Sequence, residues 1–190
     1  QLLQRSDKEK MLQQRSKVLW MTGLSGSGKS TIAKGLERKL HEAGYLSYVL
    51  DGDNVRAGIN SNLGFSEEDR TENIRRIAEI SKLFIDAGIV TINSFVSPTK
   101  DIRDLAKEII GEQDFYEVYI NASFDECAKR DVKGLYKKAI AGEIKNFTGL
   151  DAPFEAPTNA ALEIKTAEQT IEESIETIYN FFIQKIRKTV

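Results

Sequence analysis

The residues with the most explicit chemistry lie in Lys17–Thr31, KVLWMTGLSGSGKST, where an apolar run breaks into glycines and ends in Lys-Ser-Thr. Gly23, Gly28, Lys29 and Ser30 satisfy G-x-x-x-x-G-K-[ST], the spacing of a phosphate-binding loop. Glycine at 26 and 28 lets the backbone curl, so that the N–H groups of Gly23, Leu24, Ser25, Gly26, Ser27, Gly28 and on to Thr31 turn inward towards phosphate oxygens. Lys29 adds a point charge for the β- and γ-phosphates, and Ser30 offers a hydroxyl to Mg²⁺. ATP and Mg²⁺ are the expected ligands. The plain alternative is a Gly/Ser-rich turn that happens to hold a lysine. Context argues against it: Val18–Met21 reads as a buried strand, and Ile32, Ala33, Leu36 and Leu40 carry helical spacing.

A second set follows the next strand. Tyr45–Leu50 reads as β structure ending in Asp51-Gly52-Asp53, and ligand groups in open α/β sheets gather at the carboxyl ends of strands. Asp51 is placed to position Mg²⁺ or to accept a proton from an attacking hydroxyl, with Asp53 and Arg56 just beyond. A tight Asp-Gly-Asp turn would fit the same residues. Further on, 131–151 breaks every periodic pattern. Between Lys129 and Lys145 there are six Lys/Arg against two acidic residues, flanked by glycines. That composition suits a basic lid closing over phosphates and excluding water, with a solvated loop as the other reading.

The elements that must carry these groups alternate. A long helix begins at Ser66-Glu67-Glu68-Asp69, an N-cap with an acidic first turn, and lines up Ile74, Ile77, Ala78, Ser81, Phe84 and Ile85. Strands are expected at Ile89–Ile92, Phe115–Ile120 and Ala161–Ile164, and helices near Asp101–Ile110, at Phe124–Arg130 and from about Thr170. The fold class is therefore three-layer α/β, a mostly parallel five-stranded sheet with helices on both faces. Residues 1–16 read as a polar arm or short helix, and 17–190 as one phosphoryl-transfer domain with its lid at about 131–151. The net charge of −2 creates no field for nucleic acid or membrane. One cysteine excludes an internal disulfide, and one histidine leaves no zinc cluster. No apolar run approaches membrane-spanning length, so a cytoplasmic protein is expected. The start at Gln1 leaves open a piece of something longer.

Phosphoryl transfer asks a protein to align the acceptor, neutralise the equatorial oxygens and shield the site. No Asn-Lys-x-Asp guanine signature and no His-Arg-Asp kinase loop occur, which disfavours a GTPase or a protein kinase. Several blocks then stand in order: GLSGSGKST, Asp51-Gly-Asp-Asn-Val-Arg56, Asn62-Leu-Gly-Phe-Ser66, Asp69-Arg70, Glu72-Asn73-Ile-Arg-Arg76, Ser94-Phe-Val-Ser-Pro98, Arg130 to Lys138 and Ala141 to Gly149. Together, from about Lys17 to Thr166, the chain resembles the adenylyl-sulfate kinase family. The resemblance implies ATP-dependent phosphorylation of the 3′-hydroxyl of adenosine 5′-phosphosulfate. It implies an acceptor pocket at Asp53, Arg56, Phe65, Arg70, Asn73, Val96, Ser97, Lys133 and Phe147, with Arg130 against the adenine of ATP and Thr166 near by. Phe65 and Phe147 are suited to sandwich an adenine, and Arg56 and Arg70 to bind a phosphosulfate. Asn146 stands where some relatives have Gly. The resemblance also implies a homodimer, and an ATP sulfurylase as fused or separate partner.

Ser97 is a special case. Bacterial members are often assigned a phosphoserine intermediate at the matching position. A serine nucleophile needs a base, and the single histidine, His41, follows Leu40 at the far end of the helix after the loop. Direct in-line transfer is the expectation, with Lys29, Asp51, Asp53 and Ser97 as the catalytic set and Ser30 and Asp51 as the Mg²⁺ set. Two alternatives stay open at this point: another small-molecule or nucleotide kinase, and a nucleotide-binding module without catalysis.

Overall fold

The computed structural model describes residues 2–188, so positions 1, 189 and 190 of the expected arm and domain lie outside the described residues. Five strands, β1 (Val18–Thr22), β2 (Ser47–Asp51), β3 (Val90–Ser94), β4 (Phe115–Asn121) and β5 (Leu162–Lys165), pair in parallel in the order β2-β3-β1-β4-β5. The expected three-layer α/β architecture is what the chain adopts, with a sheet that is parallel throughout.

β1 is the axis. All five of its residues are buried, and the two-residue strand period sends Leu19 and Met21 to one face and Val18 and Trp20 to the other. The first pair meets Ile32, Leu36 and Leu40 of α2 (Lys29–Glu42) and Ile178, Phe182 and Ile186 of α8 (Ile171–Ile186). The second pair meets Ile74, Ile77 and Ile85 of α4 (Glu67–Asp86) and Ile102, Ala106 and Ile110 of α5 (Lys100–Ile110). Apolar residues on both strand faces are what a parallel sheet covered by helices requires. Because the strands run one way, their carboxyl ends share one edge of the sheet, where Asp51 stands level with Ser94 and Ser94 with Met21.

Helix starts follow local capping chemistry. The Ser66 hydroxyl accepts from the Asp69 N–H, Ser123 from Glu126 at the head of α6 (Phe124–Arg130), and Thr170 from Glu173 at the head of α8. One alternative falls and one expectation changes. Asp51-Gly52-Asp53 is no simple turn: it opens α3 (Gly52–Ala57), with the Asp51 carboxylate accepting from the Asn54 N–H at 2.8 Å. The segment 131–151 is not without periodic structure either. It contains α7 (Leu135–Ile140), whose only buried residues, Tyr136 and Ala139, are three apart. Two turns are too few to raise a periodic signal above the surrounding lysines. Asp131 starts this helix by accepting from the Tyr136 and Lys137 N–H groups at 2.9 and 3.1 Å.

The N-terminal segment forms α1 (Arg5–Leu12), with no buried residue of its own. Polar contacts fasten it instead. Arg5 donates two hydrogen bonds to the Asp114 carboxylate, at 2.8 and 2.9 Å, and Lys17 donates a third at 2.8 Å. Gln14, buried behind it, donates to the Leu46 and Gly88 carbonyls and accepts from the Leu46 N–H. Burial alone would raise the Asp114 carboxyl, but the bonds from Arg5 and Lys17 prevail and hold it below its ordinary value of 3.8. A carboxyl depressed in the folded state contributes stability that is present above the unfolded value and lost as pH falls through the folded one. The protection factors of the amides across residues 5–12, taken relative to the intrinsic exchange rate at each pH, are therefore expected to fall on acidification below about pH 4. Asp114→Asn should remove that acid dependence and speed the exchange at neutral pH roughly tenfold or more, the size expected for losing charge-assisted bonds of about 1.5–3 kcal/mol.

Candidate active site

The loop between β1 and α2 is shaped by close approaches that only glycine allows. A Cβ on Gly23 would lie 2.3 Å from the Ile120 carbonyl oxygen of β4, at a φ of 155°. Gly26 and Gly28 take φ of 78° and 113°, turning the backbone into the head of α2. Gly28 caps that helix without a side chain, so the first N–H groups of α2 keep no side-chain acceptor. Ser30 and Thr31 stand exposed on its first turn. The Ser27 hydroxyl is buried with no hydrogen-bond partner.

Lys29 lies at the centre of this cradle, 7% exposed. Its ammonium nitrogen donates to the Gly23 and Leu24 carbonyls at 2.7 and 2.9 Å, and no carboxylate pairs with it among the described residues. Burial pushes its pKa down to about 7, while Cys127 and Lys133 add smaller opposing effects. A buried cation without a counter-charge, a buried unpartnered hydroxyl and free helix N–H groups fit the phosphates of a nucleotide. Among the described residues no group of three His, Cys, Asp or Glu could hold a metal ion by itself.

Arg130 and Thr166 come together at the back of the loop. The Arg130 guanidinium donates to the Gly26 and Ser27 carbonyls at 3.2 Å and to the Thr166 hydroxyl at 3.3 Å, and Thr166 donates to the Ser27 carbonyl at 2.8 Å. Tyr136, which sequence reasoning passed over, donates its hydroxyl to the Ser25 carbonyl and packs edge-on against Phe147 with ring centres 4.9 Å apart. The signal for it was faint: an aromatic among lysines in a segment that lacked visible period.

Across the sheet edge lie the residues expected on the acceptor side. Arg56 covers the Phe65 ring at 4.3 Å and donates to the Leu63 and Gly64 carbonyls. Burial lowers its pKa, and the like charge of Arg70 lowers it further. Arg56 over the exposed Phe65 ring, with the charge of Arg70 felt near by, suits an anion carrying an aromatic base. Arg70 also donates to the Asn146 carbonyl, which brings α4 to the segment bearing Phe147. Asn146 has a φ of 54°, the left-handed region that Gly and Asn share. Asp53 is exposed and lies 3.8 Å from the Lys133 ammonium.

Three expected site residues differ in detail from their expected use. The Asp51 carboxylate is already engaged as the cap of α3, leaving its second oxygen for a ligand. Asn73 is buried and accepts from Asn60 at 2.9 Å, so it braces the loop that carries Phe65. Ser97 is 2% exposed: its hydroxyl accepts from the Trp20 indole at 3.0 Å and donates to the Phe95 carbonyl at 3.2 Å. No histidine contacts it, and Val96 beside it contributes its carbonyl to the Thr22 hydroxyl at 2.7 Å.

The Gly23 geometry yields a test. Gly23→Ala puts a methyl against the β4 backbone in a strained conformation, with an expected loss of about 2–4 kcal/mol from strain and overpacking. Thermal unfolding should fall by several degrees, and an unchanged midpoint would mean that loop and β4 do not approach this closely.

Comparison with known proteins agrees with the geometry. The family model for adenylylsulphate kinase matches residues 15–165. The adenylyl-sulfate kinase of Bacteroides thetaiotaomicron is 58% identical over 187 residues, covering 98% of this chain and 93% of that protein. That of Clostridium acetobutylicum is 54% identical over 182 residues, covering 96% and 90%. Among solved structures, the Mycobacterium tuberculosis APS kinase CysC in complex with AMPPNP and APS superposes with a TM-score of 0.85 at 44% identity, over 88% of this chain and 98% of that one. With a family model matched over most of its length and relatives more than half identical to it, the chain is a member of the adenylyl-sulfate kinase family.

Proposed function

We propose that this chain transfers the γ-phosphate of ATP to the 3′-hydroxyl of adenosine 5′-phosphosulfate, giving 3′-phosphoadenosine 5′-phosphosulfate and ADP. The observation that carries the reading is the pairing of two cationic sites on one sheet edge: Lys29 in the phosphate loop, and Arg56 with Arg70 beside Phe65. A kinase for an uncharged acceptor has no use for the second. The relative solved with AMPPNP and APS supports the same pair of ligands.

In this reading the loop N–H groups and Lys29 hold the β- and γ-phosphates, and Arg130 and Thr166 brace the loop from behind, at the side of the ATP base. Ser30, with the free oxygen of Asp51, would hold Mg²⁺ on the phosphates, where the ion neutralises charge developing on the transferred group. Arg56 and Arg70 take the phosphosulfate, while Phe65 and Phe147 flank the acceptor adenine. The 3′-oxygen forms its bond to the γ-phosphorus as the bond to the β-phosphate oxygen breaks, and the hydroxyl proton passes to a carboxylate. Asp53 suits that role better than Asp51, because its carboxylate is exposed and not consumed as a helix cap. Lys133 reaches Asp53 from the lid, which supports closure over the reacting groups.

The same geometry favours direct transfer over a phosphoserine at Ser97, since that hydroxyl is buried, spent on Trp20 and Phe95, and without a base. Pairing with a second copy, supply by an ATP sulfurylase and a cytoplasmic setting rest on the family resemblance; the described residues contain no helix long and apolar enough to cross a membrane.

The test is ADP release with Mg·ATP, with and without adenosine 5′-phosphosulfate. Release should require the acceptor and fall by about 10²–10³ in Lys29→Ala, the range for losing one preorganised electrostatic contact. Acceptor-independent release would remove the substrate assignment. Under the direct route, labelled ATP leaves no label on the protein, and Ser97→Ala keeps turnover to within roughly tenfold; stoichiometric, chemically competent label at Ser97 would overturn it.

A further inference from the structure

Arg103 is a charged residue on the apolar face of α5, 3% exposed, with no part in the mechanism above. Burying a guanidinium is costly unless it is paired, and its ion pair with Glu117 of β4, at 3.8 Å, is beyond hydrogen-bond reach. Burial pushes Arg103 down and Glu117 up from their ordinary values. What the guanidinium does reach is two main-chain carbonyls from distant parts of the chain. One nitrogen donates to the Ser97 carbonyl at 2.7 Å and another to the Glu155 carbonyl at 2.6 Å. Next to them the Glu155 N–H donates to the Pro98 carbonyl at 2.7 Å, and Phe154 stacks on Tyr119 with ring centres 6.1 Å apart.

Ser97 needs such support. Its φ of 40° lies in the left-handed region, where a residue other than glycine persists only when its surroundings impose it. Arg103 fixes its carbonyl, while Trp20 and Phe95 fix its side chain.

We propose that Arg103 is a positioning residue for the acceptor, holding the acceptor loop at Ser97 in its turn and fastening the C-terminal root of the lid, at Glu155, to that loop. The other root is fastened elsewhere: Arg130 and Tyr136 tie the start of the lid to the carbonyls of Ser25, Gly26 and Ser27. The lid therefore has one root in each substrate's loop, and acceptor binding reaches it through Arg103 while ATP binding reaches it through Arg130 and Tyr136. This rests on the acceptor reading given above.

Arg103→Lys keeps the charge but loses the planar fork that spans two carbonyls. Its kcat/KM for adenylyl sulfate should fall roughly ten- to hundredfold, the scale of an ångström-level misplacement, while KM for ATP stays within about twofold. Tryptic cleavage at Lys137, Lys138 and Lys145 gives a readout independent of turnover. In the wild type, AMPPNP and adenylyl sulfate should each slow it; in Arg103→Lys only AMPPNP should. If that variant does not fold, Arg103→Gln combined with Glu117→Gln removes both buried charges together and should show the same split. Equal losses towards both substrates, or undiminished protection by adenylyl sulfate, would make Arg103 merely structural and overturn the proposal. A wild type that adenylyl sulfate neither protects nor turns over would instead overturn the acceptor reading, and this inference with it.

Discussion

A lysine ammonium held in a dry backbone cradle with no carboxylate beside it is the condition on which the rest of this molecule depends. Moving the Lys29 pKa from 10.5 to about 7 corresponds to roughly 5 kcal/mol in favour of its neutral form. An anion bound in the loop reverses that balance. Its nitrogen donates to the carbonyls of Gly23 and Leu24. The architecture answers this single demand. A parallel sheet with β1 at its centre, apolar on both faces, presses the loop against β4 until only glycine fits at position 23. The head of α2 then points its free N–H groups at the same spot.

Around this cradle, the lid and the acceptor side are organised by main-chain carbonyls as much as by side-chain charge. Arg130, Thr166 and Tyr136 all terminate on carbonyls of the phosphate loop, so the start of the lid moves only if the loop does. Arg56, with an aromatic ring beneath it, and Arg70 add a positive field that Asp69 and Asp151 offset in part. Such a field suits a ligand that brings its own negative charge. In the proposed function the basic segment at 131–151 would close between the two and exclude water, which a kinase needs to keep ATP from hydrolysis.

Much of this was legible in the residue order. The phosphate loop declares itself because its requirements are steric and local: glycine spacing, then Lys-Ser-Thr, between an apolar run and a helical period. Ser66 likewise reads as a helix head from its own chemistry. What stayed hidden depends on partners far along the chain. Nothing local says that Gln14 will bridge Leu46 and Gly88, or that Ser97 will be buried against Trp20 in a left-handed turn. Arg103 sits in an apolar helical stripe, where a charge reads as noise until Glu155 is folded against it. α7 escaped because two turns with Tyr136 and Ala139 buried cannot outweigh the lysines around them. Asp51 was readable as a strand-end carboxylate, but its use as a cap depended on Asn54, three residues on.

The most direct measurement of the central claim is the titration of Lys29 itself, followed by NMR of ¹³Cε-lysine-labelled protein with Lys29→Arg for assignment. The account predicts a midpoint near 7 in the free protein, and an ammonium that stays protonated to well above about pH 9 once AMPPNP fills the loop, as an adjacent anion favours the charged form. A Lys29 that titrates near 10 in the free protein, or whose midpoint does not move when the nucleotide binds, would contradict it.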